Sequence, residues 1–470
     1  MVFGFGKGKK KVEEEEPEIE HVKFLGPFSG GEVNLAANQK LVDAGLVRAK
    51  DLVSDALSRR AESLRIEPKG PQAVIGLMVD GVPYPSGRLS KQEALAITQM
   101  LKLLAGMDIK NRKAAQTGGM KAEFEGKKYD LHLASEPVED AERLTIKAIN
   151  QNIKLESAQD IGMSEDLKKK VRGICEGHGV VLITGPANSG MTATTFAVLR
   201  SLDAYLFSIQ TACDIGGRTL HNISQFAVNP EDPLSQTIQR TIRSETNVLL
   251  IEPLKTADLT KEAFSKAEDI TLLSEFPAKD IPSALQQLIE WLGDPKVVAD
   301  NLRGLLSTKL VRTLCPSCKQ AYKPNPQFLQ KAGLPETVSV LYRKPQPTKN
   351  EQGQLVDPEP CKKCGNIGYY GRTGLFEFLE VTEEMKQVIL GKPDAAAIRA
   401  QMKKEKMLTF QQDGLRQVAD GRTSLEELQR VFSPAKPAAP AKVAAPAKGA
   451  TPAKAAGPAK AAPAKPAKEK

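Results

Sequence analysis

The sequence predicts an α/β protein, a mostly parallel sheet with helices on its faces, preceded by a small α+β domain. Three observations point there. An apolar run, Gly179 to Thr184, feeds a glycine-containing turn, GPANSG, and then a helix from Met191 to Leu202, which is the strand–turn–helix order of a phosphate-binding loop. Further strand-sized runs at Ala204 to Ile209, Asn247 to Ile251 and Ile270 to Leu273 alternate with helical periods at Asp232 to Arg243, Pro282 to Leu292 and Lys296 to Leu306, the alternation that builds parallel sheets. The 470 residues, 41% hydrophobic and 26% charged, suffice to bury two or three cores.

Residues 1–36 pair a lysine cluster (Lys7, Lys9, Lys10, Lys11) with the acidic run Glu13 to Glu16. No apolar stretch follows the lysines, so a flexible charged arm is expected here and not a secretory signal. Residues 37–152 form the small α+β domain. A helical period runs from Leu35 to Leu64, and Arg65 to Asp80 reads as two strands joined by the turn Pro68 to Pro71, with a second turn at Asp80-Gly81. Helix returns from Lys91 to Gly106, and strand patterning follows around Tyr129 to Leu133 and Leu144 to Ile149. Residues 153–312, entered through a helix from Glu165 to Gly177, hold the phosphate-loop unit. A cysteine module (313–376), C-terminal helices (377–432, with Thr382 to Leu390, Asp394 to Lys404 and an amphipathic stretch Thr409 to Val431) and a tail (433–470) complete the chain. The longest apolar runs fall far short of the roughly 20 residues a membrane-spanning helix needs, and a cytoplasmic location is expected.

The formal charge of +9 is concentrated at one end: residues 433–470 hold eight lysines and one glutamate, +7, leaving +2 for everything else. Eight prolines there forbid a continuous helix, and nothing offsets the ordering entropy, so the tail is expected to be disordered. It reads either as a solubilising tether or as a polyanion contact for nucleic acid or acidic lipid.

Six cysteines include two Cys-x-x-Cys pairs, Cys315/Cys318 and Cys361/Cys364. Four thiolates match a closed tetrahedral Zn²⁺ site, structural because no coordination position stays open. The alternative is a set of free or redox-active thiols. Cys175 and Cys213 read as buried apolar residues.

The phosphate-loop pattern G-x-x-x-x-G-K-[ST] is met by GPANSGMT, Gly185 to Thr192, except that Met191 takes the lysine position. The backbone from Asn188 through Ser189 and Gly190 to Thr192 can still form an anion nest, and the Thr192 hydroxyl can still reach Mg²⁺. The missing ammonium removes on the order of 4 kcal/mol of attraction for a phosphate at 4 Å, so ATP and Mg²⁺ binding is expected to be weak or absent.

The stretches RRAESLRIEP (Arg59 to Pro68), VVLITGPANSGMTATT (Val180 to Thr195), DIPSALQQLIEWL (Asp280 to Leu292), LSTKLVRTLCPSCKQAY (Leu306 to Tyr322), CKKCGNIGYYGRTGLFEFLEV (Cys361 to Val381) and TFQQDGLRQVADGRTSLEEL (Thr409 to Leu428) resemble the secretion and pilus-assembly ATPases, the family of type II secretion system protein E and the type IV pilus extension motor. The resemblance implies a RecA-like P-loop core at 153–312, a hexameric ring, and a place on the cytoplasmic side of an inner-membrane secretion or pilus platform. Carried over position by position, the catalytic set fails. The acidic box falls on Ser208 to Asp214, with Gln210 and Thr211 in place of its first two acids. The second box falls on VLLIEPLKT, where Pro253, Lys255 and Thr256 replace glutamate, arginine and aspartate. The histidine box falls on Ile270 to Asp280, which has no histidine, and the arginines of the smaller domain fall on Gly119, His132 and Lys147.

No catalytic residue is therefore assigned. The vestigial nucleotide set is Gly185, Asn188, Ser189, Gly190, Met191, Thr192 and Glu252. The leading expectation is a pseudoenzyme acting beside an active paralogue or as a scaffold on platform proteins, as a homo- or hetero-hexamer. Two readings compete with it: a slow ATPase using Glu252 and Thr192, and a polyanion binder acting through the tail.

Overall fold

The computed structural model describes residues 21–433 apart from Asp140, Lys154, Glu156, Gly217, Thr219, Pro230, Pro335, Glu336 and Glu351. The expected tail, and the arm up to residue 20, lie outside the described residues.

The first half runs β1 (Lys23–Pro27), α1 (Gln39–Ser58), β2 (Ala61–Lys69), β3 (Gln72–Val79), β4 (Val82–Ser90), α2 (Lys91–Leu104), β5 (Gln116–Phe124), β6 (Lys127–Val138) and β7 (Ala141–Asn150). Its seven strands form an antiparallel sheet in the order β1-β5-β6-β7-β2-β3-β4. Alternation decides which face is buried: Ala73, Ile75, Leu77 and Val79 of β3 point inward. They pack with Val53 and Leu57 of α1 and Ile97, Met100 and Leu101 of α2. The start of α2 is fixed by a capping box, Ser90 and Glu93 each accepting the other's backbone N–H.

The second half runs α3 (Glu165–Cys175), β8 (Gly179–Gly185), α4 (Met191–Ser201), β9 (Ile209–Ala212), β10 (Ser224–Gln225), α5 (Leu234–Arg243), β11 (Val248–Ile251), α6 (Ala257–Phe264), β12 (Thr271–Pro277), α7 (Ile281–Leu292), α8 (Pro295–Asn301) and β13 (Leu302–Leu314). It continues with β14 (Gln320–Tyr322), α9 (Pro326–Ala332), β15 (Leu341–Arg343), β16 (Thr348–Lys349), β17 (Leu355–Val356), β18 (Tyr369–Glu380), α10 (Glu383–Leu390), α11 (Ala395–Lys404), α12 (Phe410–Ala419) and α13 (Leu425–Phe432). The second seven-stranded sheet has the order β10-β9-β11-β12-β8-β13-β18, parallel except for β18. The strand carrying the glycine-rich turn, β8, lies centrally, and all seven of its residues are buried. Helices α3 and α4 cover one face, and α5 to α8 with α10 and α11 cover the other. This is the doubly covered parallel sheet the sequence predicts, with the RecA-like order of strands around β8.

Several expectations need correction. The helical period read from Leu35 to Leu64 ends at Ser58, and Ala61 to Leu64 already belong to β2. The arm ends earlier than residue 36: β1 pairs with β5, and Val22 is fully buried, its N–H donating to Ser54 Oγ at 2.8 Å. The helix expected from Lys296 to Leu306 stops at Asn301, and Leu302 to Leu314 is a strand inserted between β8 and β18. The strand expected from Ala204 to Ile209 begins only at Ile209, since Tyr205 and Leu206 lie in an exposed turn. Strands β13 and β18 also run across the expected boundaries at 312/313 and 376/377.

Candidate functional site

The turn after β8 holds its shape through two left-handed residues, Asn188 at φ +61° and Gly190 at φ +92°, before α4 begins. No side chain fits at Gly185, where an added Cβ would lie 2.4 Å from Ser189 Oγ and 2.7 Å from the Thr308 carbonyl oxygen. The loop is tied to β13 as well, the Thr308 hydroxyl donating to the Ser189 carbonyl at 3.4 Å. Gly185, Asn188, Ser189, Gly190, Met191 and Thr192 are thereby brought together at the amino end of an 11-residue helix, where backbone N–H groups and the helix dipole favour an anion. The chemistry of the side chains does not follow the backbone. Met191 is half-buried against the apolar cluster under α3 and α4, whereas Thr192 is exposed. Beneath the loop the buried hydroxyls of Thr184, Ser189 and Ser307 have no partner among the described residues.

Glu252 is exposed at the end of β11, with β12 standing between it and the loop strand. It lines a cleft of about 590 Å³ together with Cys213, Asp214, Phe226 and Val228. Burial, reinforced by the carboxylates of Asp214, Glu275 and Glu252, pushes the Cys213 thiol up to about 11. Cys213 is a half-exposed wall of the cleft and not the buried apolar residue expected, whereas Cys175 is buried and its thiol pushed up to about 12, chiefly by burial. The neighbouring Gln210 Oε1 and Thr211 Oγ1, where the family resemblance places acids, are buried without partners among the described residues.

Gly119, His132 and Lys147 stand in register on β5, β6 and β7. The position over Gly119 is filled: an added Cβ would lie 2.2 Å from Phe28 Cε2. The Phe28 ring also packs edge-on against His132, centroids 5.0 Å apart. Sequence reasoning missed Phe28 because it lies within the stretch taken for a flexible arm.

The four paired cysteines converge. Sγ atoms of Cys315, Cys318, Cys361 and Cys364 lie within 4.8 Å of one another, with Cys315–Cys361 at 3.9 Å and Cys318–Cys364 at 3.6 Å. A tetrahedral centre with metal–sulfur bonds of about 2.3 Å places its sulfurs about 3.8 Å apart, so the set fits a divalent metal. Two backbone bonds hold it: Cys315 N–H donates to the Gly368 carbonyl at 3.0 Å, and Gly368 N–H to Cys364 Sγ at 3.3 Å. For Cys361 burial acts upward, but the backbone N–H groups of Cys364 and Lys363 and the neighbouring thiols outweigh it, bringing the thiol down to about 7.

Around this cluster the two halves of the chain lock together. Arg312 pairs with the buried Glu427 at 2.6 Å and reaches Tyr84 Oη at 3.3 Å. Arg372 pairs with Glu62 at 2.6 Å, and Arg60 donates to the Tyr369 carbonyl at 3.4 Å. Ile367 packs onto the core of the first sheet.

The sequence signature of the Type II/IV secretion system protein family matches residues 41–430. The type II secretion system protein E of Dickeya dadantii is 27% identical over 394 residues, 83% of this chain and 76% of that protein. The type IV pilus assembly ATPase PilB of Thermus thermophilus is 26% identical over 424 residues, which make up 89% of this chain but 44% of that protein. The X-ray structure of the ATPase DotB from Legionella pneumophila shares the fold, with a TM-score of 0.52 at 15% identity over 83% of this chain and 96% of that one. Among the described residues no helix is long and apolar enough to cross a membrane. The family signature, spanning both sheets, the phosphate-loop turn and the cysteine cluster, establishes that the chain belongs to the type II/IV secretion system protein family and is related to its secretion and pilus-assembly ATPases.

Proposed function

We propose that the chain is a catalytically degenerate relative of these ATPases, working through contacts as a structural or regulatory subunit on the cytoplasmic face of a secretion or pilus platform. It would do so in a homo-hexamer or in a mixed ring beside an active relative. One observation carries this reading: the loop keeps the backbone of a phosphate nest, but the side chain at its cation position, Met191, packs into the apolar cluster. Phosphoryl transfer depends on charge positioned around the γ-phosphate and on a group that orients water. Gln210, Thr211 and Pro253 supply no charge, and Phe28 occupies the space an arginine at position 119 would need.

The parts that hold the chain together remain. We assign the four cysteines to a structural Zn²⁺, which would supply a closed cross-link between the end of β13 and the start of β18. In this reading residues 37–152 and 153–312 are the two principal units, followed by the module at 313–376 and the helices at 377–432. Thr192, with an exposed hydroxyl, and Glu252, with no ion-pair partner among the described residues, favour the second reading of a slow ATPase. Steady-state phosphate release by the full chain with Mg·ATP separates the two. Release indistinguishable from the buffer blank is expected, and turnover abolished by Glu252→Gln would establish the slow enzyme instead.

A further inference from the structure

We propose that the Lys/Ala/Pro segment after Ser433 docks into the cleft beside Glu252 of its own chain, one lysine at a time. The inference rests on the reading above, since a working motor would reserve this end of the sheet for Mg·nucleotide. The cleft, about 590 Å³, has apolar walls from Phe226 and Val228 and two exposed carboxylates, Asp214 and Glu252. A third, Glu275, lies close enough to act on the same Cys213 thiol. Among the described residues none of the three forms an ion pair, and Asp214 accepts only the Gly216 N–H, at 2.8 Å. Behind the wall, Thr211 is 1% exposed and its hydroxyl has no partner among the described residues. The cleft is therefore concave and negatively charged, and no Lys or Arg among the described residues lines it.

The segment supplies what it lacks. Lys436, Lys442, Lys448, Lys454 and Lys460 recur every six residues, separated only by Ala, Pro, Val, Gly and Thr. The 37 residues from 434 to 470 can span at most about 130 Å, against a radius of gyration of about 22 Å for the folded part, so any surface of the chain lies within range. A single exposed ion pair is weak, but tethering raises its effective concentration to the millimolar range, and the repeat offers five interchangeable anchors.

Zero-length coupling with a carbodiimide on the full chain at low salt, mapped by mass spectrometry, tests this. Amide links should join Asp214 or Glu252 to several of the five lysines. They should fade at high salt, disappear in the Asp214→Asn/Glu252→Gln chain, and stay within one isotope when light and heavy chains are mixed. Links spread evenly over exposed carboxylates, links only to other acids, or links mainly between light and heavy chains would each overturn the proposal. Failure here, with phosphate release still at blank level, removes the docking alone; turnover with Mg·ATP removes the reading beneath it whatever the links show.

Discussion

Replacing Met191 with lysine returns an ammonium to the start of α4 without disturbing the loop backbone. The Met191 carbonyl already accepts from Thr195 Oγ1 at 3.0 Å, and its side chain lies half-buried on the apolar face under α3 and α4. A lysine stem can cover the same surface and lift its charge toward water. One charge pair at 4 Å contributes about 4 kcal/mol at an effective dielectric near 20. The loop mouth is wet, and a dielectric two- to fourfold higher leaves about 1–2 kcal/mol, or roughly 5- to 30-fold in affinity. Titrating a fluorescent ATP analogue with Mg²⁺ by anisotropy should show that tightening in Met191→Lys while phosphate release stays at the blank. Unchanged affinity would mean that the loop is no phosphate nest. Turnover restored by this one substitution would refute the claim that the other charged groups are missing too.

Glu427 is 1% exposed and accepts from Arg312 and Arg430, so Glu427→Gln leaves two guanidiniums short of a counter-charge. Its loss should lower stability by about 3–5 kcal/mol in thermal or denaturant unfolding; an unchanged melting curve would show that the interdomain lock is decorative. Burial, reinforced by Asp280 and opposed by Arg399 and Lys309, raises Glu377 to about 7 from its ordinary 4.5. Because the folded value exceeds the unfolded one, its contribution is complete below about pH 4.5 and is lost as pH rises through about 7. Glu377→Gln should flatten the fall in melting temperature across that window, and an identical pH profile would contradict the assignment. Elemental analysis should find one zinc per chain; Cys361→Ser should lose it along with thermal stability, and a metal-free, equally stable wild type would exclude the cross-link.

The parts of the fold legible in the sequence are those where local chemistry and tertiary demand agree. β8, its turn and α4 announce themselves because a buried central strand must be apolar throughout and the loop needs a glycine at Gly190. Thr382, Asp394 and Thr409 mark helix starts and serve as N-caps there, each accepting a backbone N–H from the first turn. β13 escapes such reading because LRGLLSTKLVRTL carries no strand alternation. It is a strand through its place between β8 and β18, where neighbours bury most of its length. β4 is hidden by Pro83 and Pro85, which a sheet tolerates at an edge, and that is where β4 lies. The loop residues and the cysteine cluster were readable from spacing alone. Phe28 over Gly119 was not, because it joins segments about ninety residues apart and neither has a motif. The cleft at Glu252 likewise depends on β9 and β11 meeting in space.

Single-turnover chemistry tests the central claim most directly. With the full chain in excess over γ-labelled ATP and Mg²⁺, cleavage is read without waiting for product release. The label should stay intact at the rate of the buffer blank, whether or not nucleotide binds. Cleavage above that blank, abolished by Glu252→Gln, would show that the pocket still performs the reaction and would contradict the account.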